Sequence, residues 1–84
     1  MEREDQHIDC IKTGLVNTMF RDQSELVRNF GMFFGDGKIS TEDINCSIVK
    51  IKVKSPRYNR MFEVTYTQTN NKVFPNKILR IEEL

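Results

Sequence analysis

Phe62-Glu-Val-Thr-Tyr-Thr-Gln-Thr-Asn-Asn-Lys-Val-Phe-Pro-Asn-Lys-Ile-Leu-Arg80 is the stretch on which the fold turns. Phe62, Val64 and Tyr66 alternate with polar residues, the period of a strand with one buried face. Asn70-Asn71 follows, and asparagine tolerates the left-handed backbone of a tight hairpin turn. A second extended run over residues 72–81 then folds back. Pro75 has no N–H for a ladder bond, which suits an edge position for this last strand.

Toward the N-terminus the same period recurs. Val49, Ile51 and Val53 alternate with Ile48, Lys50, Lys52 and Lys54, which predicts a strand over 46–54 with its lysines on the face away from the core. Residues 55–59 close a hairpin into a strand over 60–68. Residues 39–45 read as a polar connection with one helical turn capped by Ser40 or Thr41. Ile8, Ile11, Leu15 and Met19 recur at three- and four-residue steps, one stripe of an amphipathic helix over 4–20. Asp22 and Glu25 have the spacing of a capping box, followed by Leu26, Val27, Phe30, Phe33 and Phe34 at helical spacing. Phe30, Met32 and Phe34 also alternate, so this run reads as a helical turn with an extended end.

The expected fold is therefore α+β: an N-terminal helix packed on a small, strongly bent antiparallel sheet or small barrel. One domain spans 1–84, mainly helical over 1–30 and mainly β over 31–84. Val49, Ile51, Val53, Val64 and Leu79 should be buried against Ile8, Ile11 and Leu15.

A chain of 84 residues with 38% hydrophobic and 30% charged residues has the composition of a globular domain with one modest core. The start is acidic and polar, unlike a signal peptide, and no apolar run nears the ~20 residues of a membrane span. An intracellular setting, cytoplasm or nucleus, is the expectation. Cys10 and Cys46 stand far apart beside a single histidine, His7, fewer ligands than the four or so that zinc takes. They read as reduced, partly buried thiols. The net charge of +1 conceals an uneven distribution. Glu2, Glu4, Asp5 and Asp9 crowd the start, while Lys50, Lys52, Lys54, Arg57 and Arg60 fall in a stretch without acids between Asp43 and Glu63.

Gly35-Asp-Gly-Lys-Ile-Ser-Thr-Glu-Asp-Ile44 has the rhythm of half an EF-hand loop. In that register the first two ligand positions fall on Met32 and Phe34, which offer calcium no oxygen, so no metal site is expected. Phe30-Gly-Met-Phe-Phe-Gly-Asp-Gly-Lys-Ile39 resembles a LAGLIDADG homing-endonuclease half-motif, in which a helix ends at the motif and two strands enter DNA. The resemblance implies Asp36 as a metal-binding acid. The simplest account of Gly35-Asp36-Gly37 is a turn.

Over residues 31–80 the chain resembles Tudor-type small barrels. Phe33 and Phe34 precede the Asp36-Gly37 turn, apolar strands follow, Asn71 comes after the third strand, and Pro75, Leu79 and Arg80 match the closing proline and leucine-arginine. The resemblance implies recognition of methylated lysine or arginine through cation–π contacts, with Phe34, Tyr58, Tyr66 and Phe74 as candidate walls. Gln68-Thr69-Asn70 stands where that family shows Asp-Tyr-Gly, so a cage aromatic and a cage acid are missing.

The functional expectation is a small non-enzymatic binding or adaptor domain without a cofactor. Its candidate contact residues are Lys50, Lys52, Lys54, Arg57, Tyr58, Arg60, Tyr66 and Phe74, and its partner a protein or acidic peptide rather than a membrane. The alternative is a DNA-binding or DNA-cleaving remnant of a LAGLIDADG protein, with nucleic acid as partner.

Overall fold

The computed structural model describes residues 2–84, and its architecture is α+β. In chain order the elements are α1 (Glu2–Leu15), β1 (Met19–Phe20), α2 (Gln23–Phe34), β2 (Ile39–Asn45), β3 (Ile48–Ser55), β4 (Arg60–Gln68) and β5 (Asn76–Glu83). The strands form one antiparallel sheet in the order β1-β5-β4-β3-β2. β1 and β2 stand at opposite edges, so the sheet is open and does not close into a barrel. Among the described residues no helix is long and apolar enough to cross a membrane.

α1 buries Ile8, Ile11 and Leu15, as its stripe requires. It stops at Leu15 rather than near residue 20. Asn17 takes a left-handed conformation (φ 72°), and the Thr18 N–H and hydroxyl both donate to the Leu15 carbonyl. That exit frees Met19 and Phe20 to pair with Lys77 and Asn76 of β5.

α2 starts on Asp22, whose carboxylate accepts the Glu25 N–H at 2.9 Å. The Glu25 side chain turns to Arg21 instead of back to the cap, so half of the expected capping box forms. Asp22→Ala should cost about 1 kcal/mol of stability, read from the denaturant midpoint.

The run from Phe30 to Phe34 is helical, not extended at its end. Phe30 and Phe34 lie one turn apart and both point into the core, their ring centroids 4.5 Å apart. That packing outweighs the alternation with Met32, which is left exposed. The helix ends at Gly35 (φ 90°), whose N–H returns to the Gly31 carbonyl. The helical part of the chain therefore extends to residue 34 rather than 30. Residues 39–45, expected as a polar connection, form edge strand β2, with a register shift at Ser40.

Both helices cover one face of the sheet. β3 alternates strictly, placing Val49, Ile51, Val53 and Ser55 inside. Phe62, Val64 and Tyr66 of β4 and Ile78 and Ile81 of β5 complete the inner layer, with Leu26, Phe30 and Phe34 from α2 above them. The expected core residues are all buried except Leu79, which is 40% exposed. The pairing passes from Thr65↔Arg80 to Tyr66↔Ile78, so Leu79 is an extra, bulged residue, and Ile78 takes the inward place. Pro75 lies just before β5, which is not the expected edge strand: it pairs with β4 on one side and, over Asn76 and Lys77, with β1 on the other. The expected tight turn at Asn70-Asn71 is a longer loop over 69–75, in which the Asn71 side chain accepts the N–H groups of Val73 and Phe74.

Candidate functional site

The face of the sheet opposite the helices is left bare. Lys50, Lys52 and Lys54 point from it into solvent because their neighbours Val49, Ile51 and Val53 point into the core. Across β2, Asp43 stands opposite Lys50, and across β4, Glu63 stands opposite Lys52 and Thr65 opposite Lys50. One strand further, Glu82 is opposite Glu63, and Arg80 is opposite Thr65. Side chains paired this way have Cβ atoms about 4.5–5.5 Å apart and share a face. The bare face thus carries a lysine row on β3 with acids on both sides of it. Arg80 and Glu82 also pair with each other at 3.0 Å. Ile48 and Leu79 add exposed apolar surface, each about two-fifths accessible.

The remaining expected contact residues lie elsewhere. Arg60 and Tyr66 have the same strand parity as Phe62 and Val64, so they face the helices and not the lysines. Arg60 bonds Glu83 at 2.7 Å and Asp5 at 2.8 Å and lies 3.4 Å from Glu4, tying β4 and β5 to the first turn of α1. These carboxylates hold its guanidinium further above its ordinary, always protonated range, Glu83 first and then Asp5. Tyr66 is buried edge-on against Phe20, with centroids 4.9 Å apart. Burial raises its phenol above the usual tyrosine range, Gln23 opposes this through a hydrogen bond, and the charge of Glu42 adds to it.

Tyr58 is half-buried between Phe34 and His7. Arg57 donates to the Phe33 carbonyl from its side chain and to the Phe34 carbonyl from its backbone, closing the C-terminus of α2. Phe74 sits in the 69–75 loop, 37% exposed. Of the eight expected residues, the three lysines alone form the bare-face row, and no common aromatic-and-basic face exists. Asp43, Glu63, Arg80 and Glu82 were missed. The sequence signal for Glu63 was its parity, opposite to that of Phe62 and Val64.

Asp36 is exposed, with its carboxylate beside the Gly31 backbone. Among the described residues no three histidines, cysteines or acids cluster as a metal site would require. Cys10 and Cys46 are free and exposed, not partly buried. Cys46 is carried to the surface by the β2–β3 hairpin, where it adopts a positive φ of 57°. An apolar groove of about 300 Å³ runs between the helices past Ile11, Leu15 and Phe33. A second groove, of about 260 Å³ and lined mostly by charged side chains, runs beside α1 past the Arg60 ion pairs. No protein-family model, no curated protein and no solved structure matches this chain.

Proposed function

We propose that this chain is a non-enzymatic protein-binding or adaptor domain that takes an acidic protein segment on the bare face of its sheet. The observation that carries the reading is the row Lys50, Lys52 and Lys54, all exposed on a face that, among the described residues, no other element covers. The acids beside the row favour a protein over nucleic acid. A phosphate backbone is uniformly negative and would be repelled by Asp43, Glu63 and Glu82, whereas a protein surface can match charges of both signs. The two exposed, free cysteines suit a reducing, intracellular setting.

The second reading, a DNA-binding or DNA-cleaving LAGLIDADG remnant, draws support from α2, which ends at Gly35-Asp36-Gly37 and is followed by strands. Asp36 would then need companion ligands, and a single carboxylate holds a divalent ion weakly.

Affinity for an acidic peptide and for duplex DNA, measured by fluorescence anisotropy across a salt series, separates the two. Replacing all three lysines by glutamine should weaken peptide binding about tenfold or more and flatten its salt dependence, with the fold unchanged by circular dichroism. Binding to DNA that is tighter and steeper in salt, or magnesium-dependent cutting abolished by Asp36→Asn, would replace the adaptor reading with the nucleic-acid one.

A further inference from the structure

The bare face is complementary to itself under one particular rotation. Reading from β5 to β2, one row holds Glu82, Glu63 and Lys52, and the next holds Arg80, Thr65, Lys50 and Asp43. Sheets packed face to face lie about 10 Å apart, with strands within about 30° of alignment. A two-fold axis in the plane of contact, running along the strands between β3 and β4, exchanges those two strands between copies. It sets Lys52 of each copy over Glu63 of the other. The same rotation exchanges β5 with β2 and sets Arg80 over Asp43. Four opposite-charge pairs result, two for each copy, and no charge is set over a like charge. Lys54 falls over Met61, where its methylene stem can cover the thioether. A two-fold axis across the strands would instead lay the lysine row on itself. One symmetry is selected, and it is the isologous kind that most homodimers use.

We infer that the acidic segment taken by the lysine row is the Glu63/Asp43 surface of a second copy of this chain, in a two-fold dimer closed by Lys52–Glu63 and Arg80–Asp43 pairs. This rests on the reading of the bare face as a protein-docking surface. It also gives a role to Glu63, which stands directly opposite Glu82 at a cost in the isolated sheet.

Sedimentation velocity over a concentration series, at low and high salt, reads the dimer. The native chain should dimerise reversibly, more weakly as salt rises. An acidic variant (Lys52→Glu with Arg80→Glu) and a basic variant (Glu63→Lys with Asp43→Lys) should each be monomeric, because each sets like charges over one another. Mixed in equal amounts they should form a one-to-one dimer, because every pair is then again opposite in sign. These side chains lie outside the core, and circular dichroism on each variant checks the fold.

A native chain that stays monomeric throughout overturns the inference, whatever the variants do. A native dimer that both variants retain, or that their mixture fails to restore, places the interface elsewhere and overturns it too. If the chain is monomeric yet still loses acidic-peptide binding on lysine-to-glutamine replacement, the docking reading survives and the dimer alone fails. If it is monomeric and the peptide never binds, both fail.

Discussion

Phe62→Ala should lower the unfolding free energy by about 3–5 kcal/mol, the largest loss expected from any single truncation here. Phe62 is completely buried on β4, its ring 4.6 Å from that of Phe34 and 6.0 Å, edge-on, from that of Phe30. Those contacts lock α2 onto the sheet, so removing the ring opens a cavity that both layers line. A domain of this size holds only about 5–15 kcal/mol in total, and small domains sit at the low end. The melting temperature should fall by at least about 12 °C. Leu79→Ala is the control, because the bulge turns Leu79 outward and its truncation should change stability by about 0.5 kcal/mol or less. Equal losses at the two sites would mean that the β4–β5 register is misplaced and Leu79 belongs to the core.

That control marks where the sequence ceased to specify the fold. Strict alternation in 48–55, and the alternating Phe62, Val64 and Tyr66, made β3 and β4 legible, because a period of two has one way to bury its apolar half. β5 was legible as a strand but not in phase. A bulge inserts one residue without changing the local composition, so Ile78, Leu79 and Ile81 offer no internal sign of which faces out. β2 was illegible for a different reason. Ser40, Glu42 and Asp43 suit an edge strand exposed on most of its surface, and exposure removes the alternation that reveals a strand. The phenylalanine run held two periods at once, and only the tertiary contacts of Phe30 and Phe34 chose the helix.

The candidate site was legible only where it depended on parity within one strand. Lys50, Lys52 and Lys54 followed from the burial of their neighbours. Arg60 and Tyr66 were misplaced although their parity with Phe62 and Val64 was available, because charge and aromaticity suggested a surface role. In fact Arg60 serves an ion-pair cluster joining α1 to the sheet, and Tyr66 serves the core. The acids that balance the lysine row depend on which strands are neighbours and in what register. That information is non-local, and single-strand periodicity does not contain it. The apparent acid-free basic stretch was a property of the chain and not of the surface, since Asp43 and Glu63 return beside Lys50 and Lys52.

Gly37→Ala should cost about 1–3 kcal/mol, far more than Asp36→Ala beside it. Gly37 has an ordinary backbone, so the reason is space and not conformation. A Cβ built there collides with the Lys54 carbonyl oxygen and comes within 2.9 Å of Val53 Cγ1. The obstacle is the backbone of β3, which is held by β2 on one side and β4 on the other and cannot yield as the tip of a side chain would. Either the connection from α2 must lift away, which pulls on the buried Phe34 at its root, or β3 must shift. Gly35→Ala should also destabilise, through its left-handed φ of 90° and the Arg57 nitrogen 3.1 Å from the added carbon. Asp36 is exposed, so its truncation should cost about 0.5 kcal/mol or less. Chemical denaturation of the three variants gives the order directly. Two costly glycines around an inexpensive aspartate identify Gly35-Asp36-Gly37 as the hinge by which α2 meets the sheet. The reverse order, with Asp36→Ala the most damaging, would mean that the acid holds something that the packing alone does not explain, and would return weight to the nuclease reading.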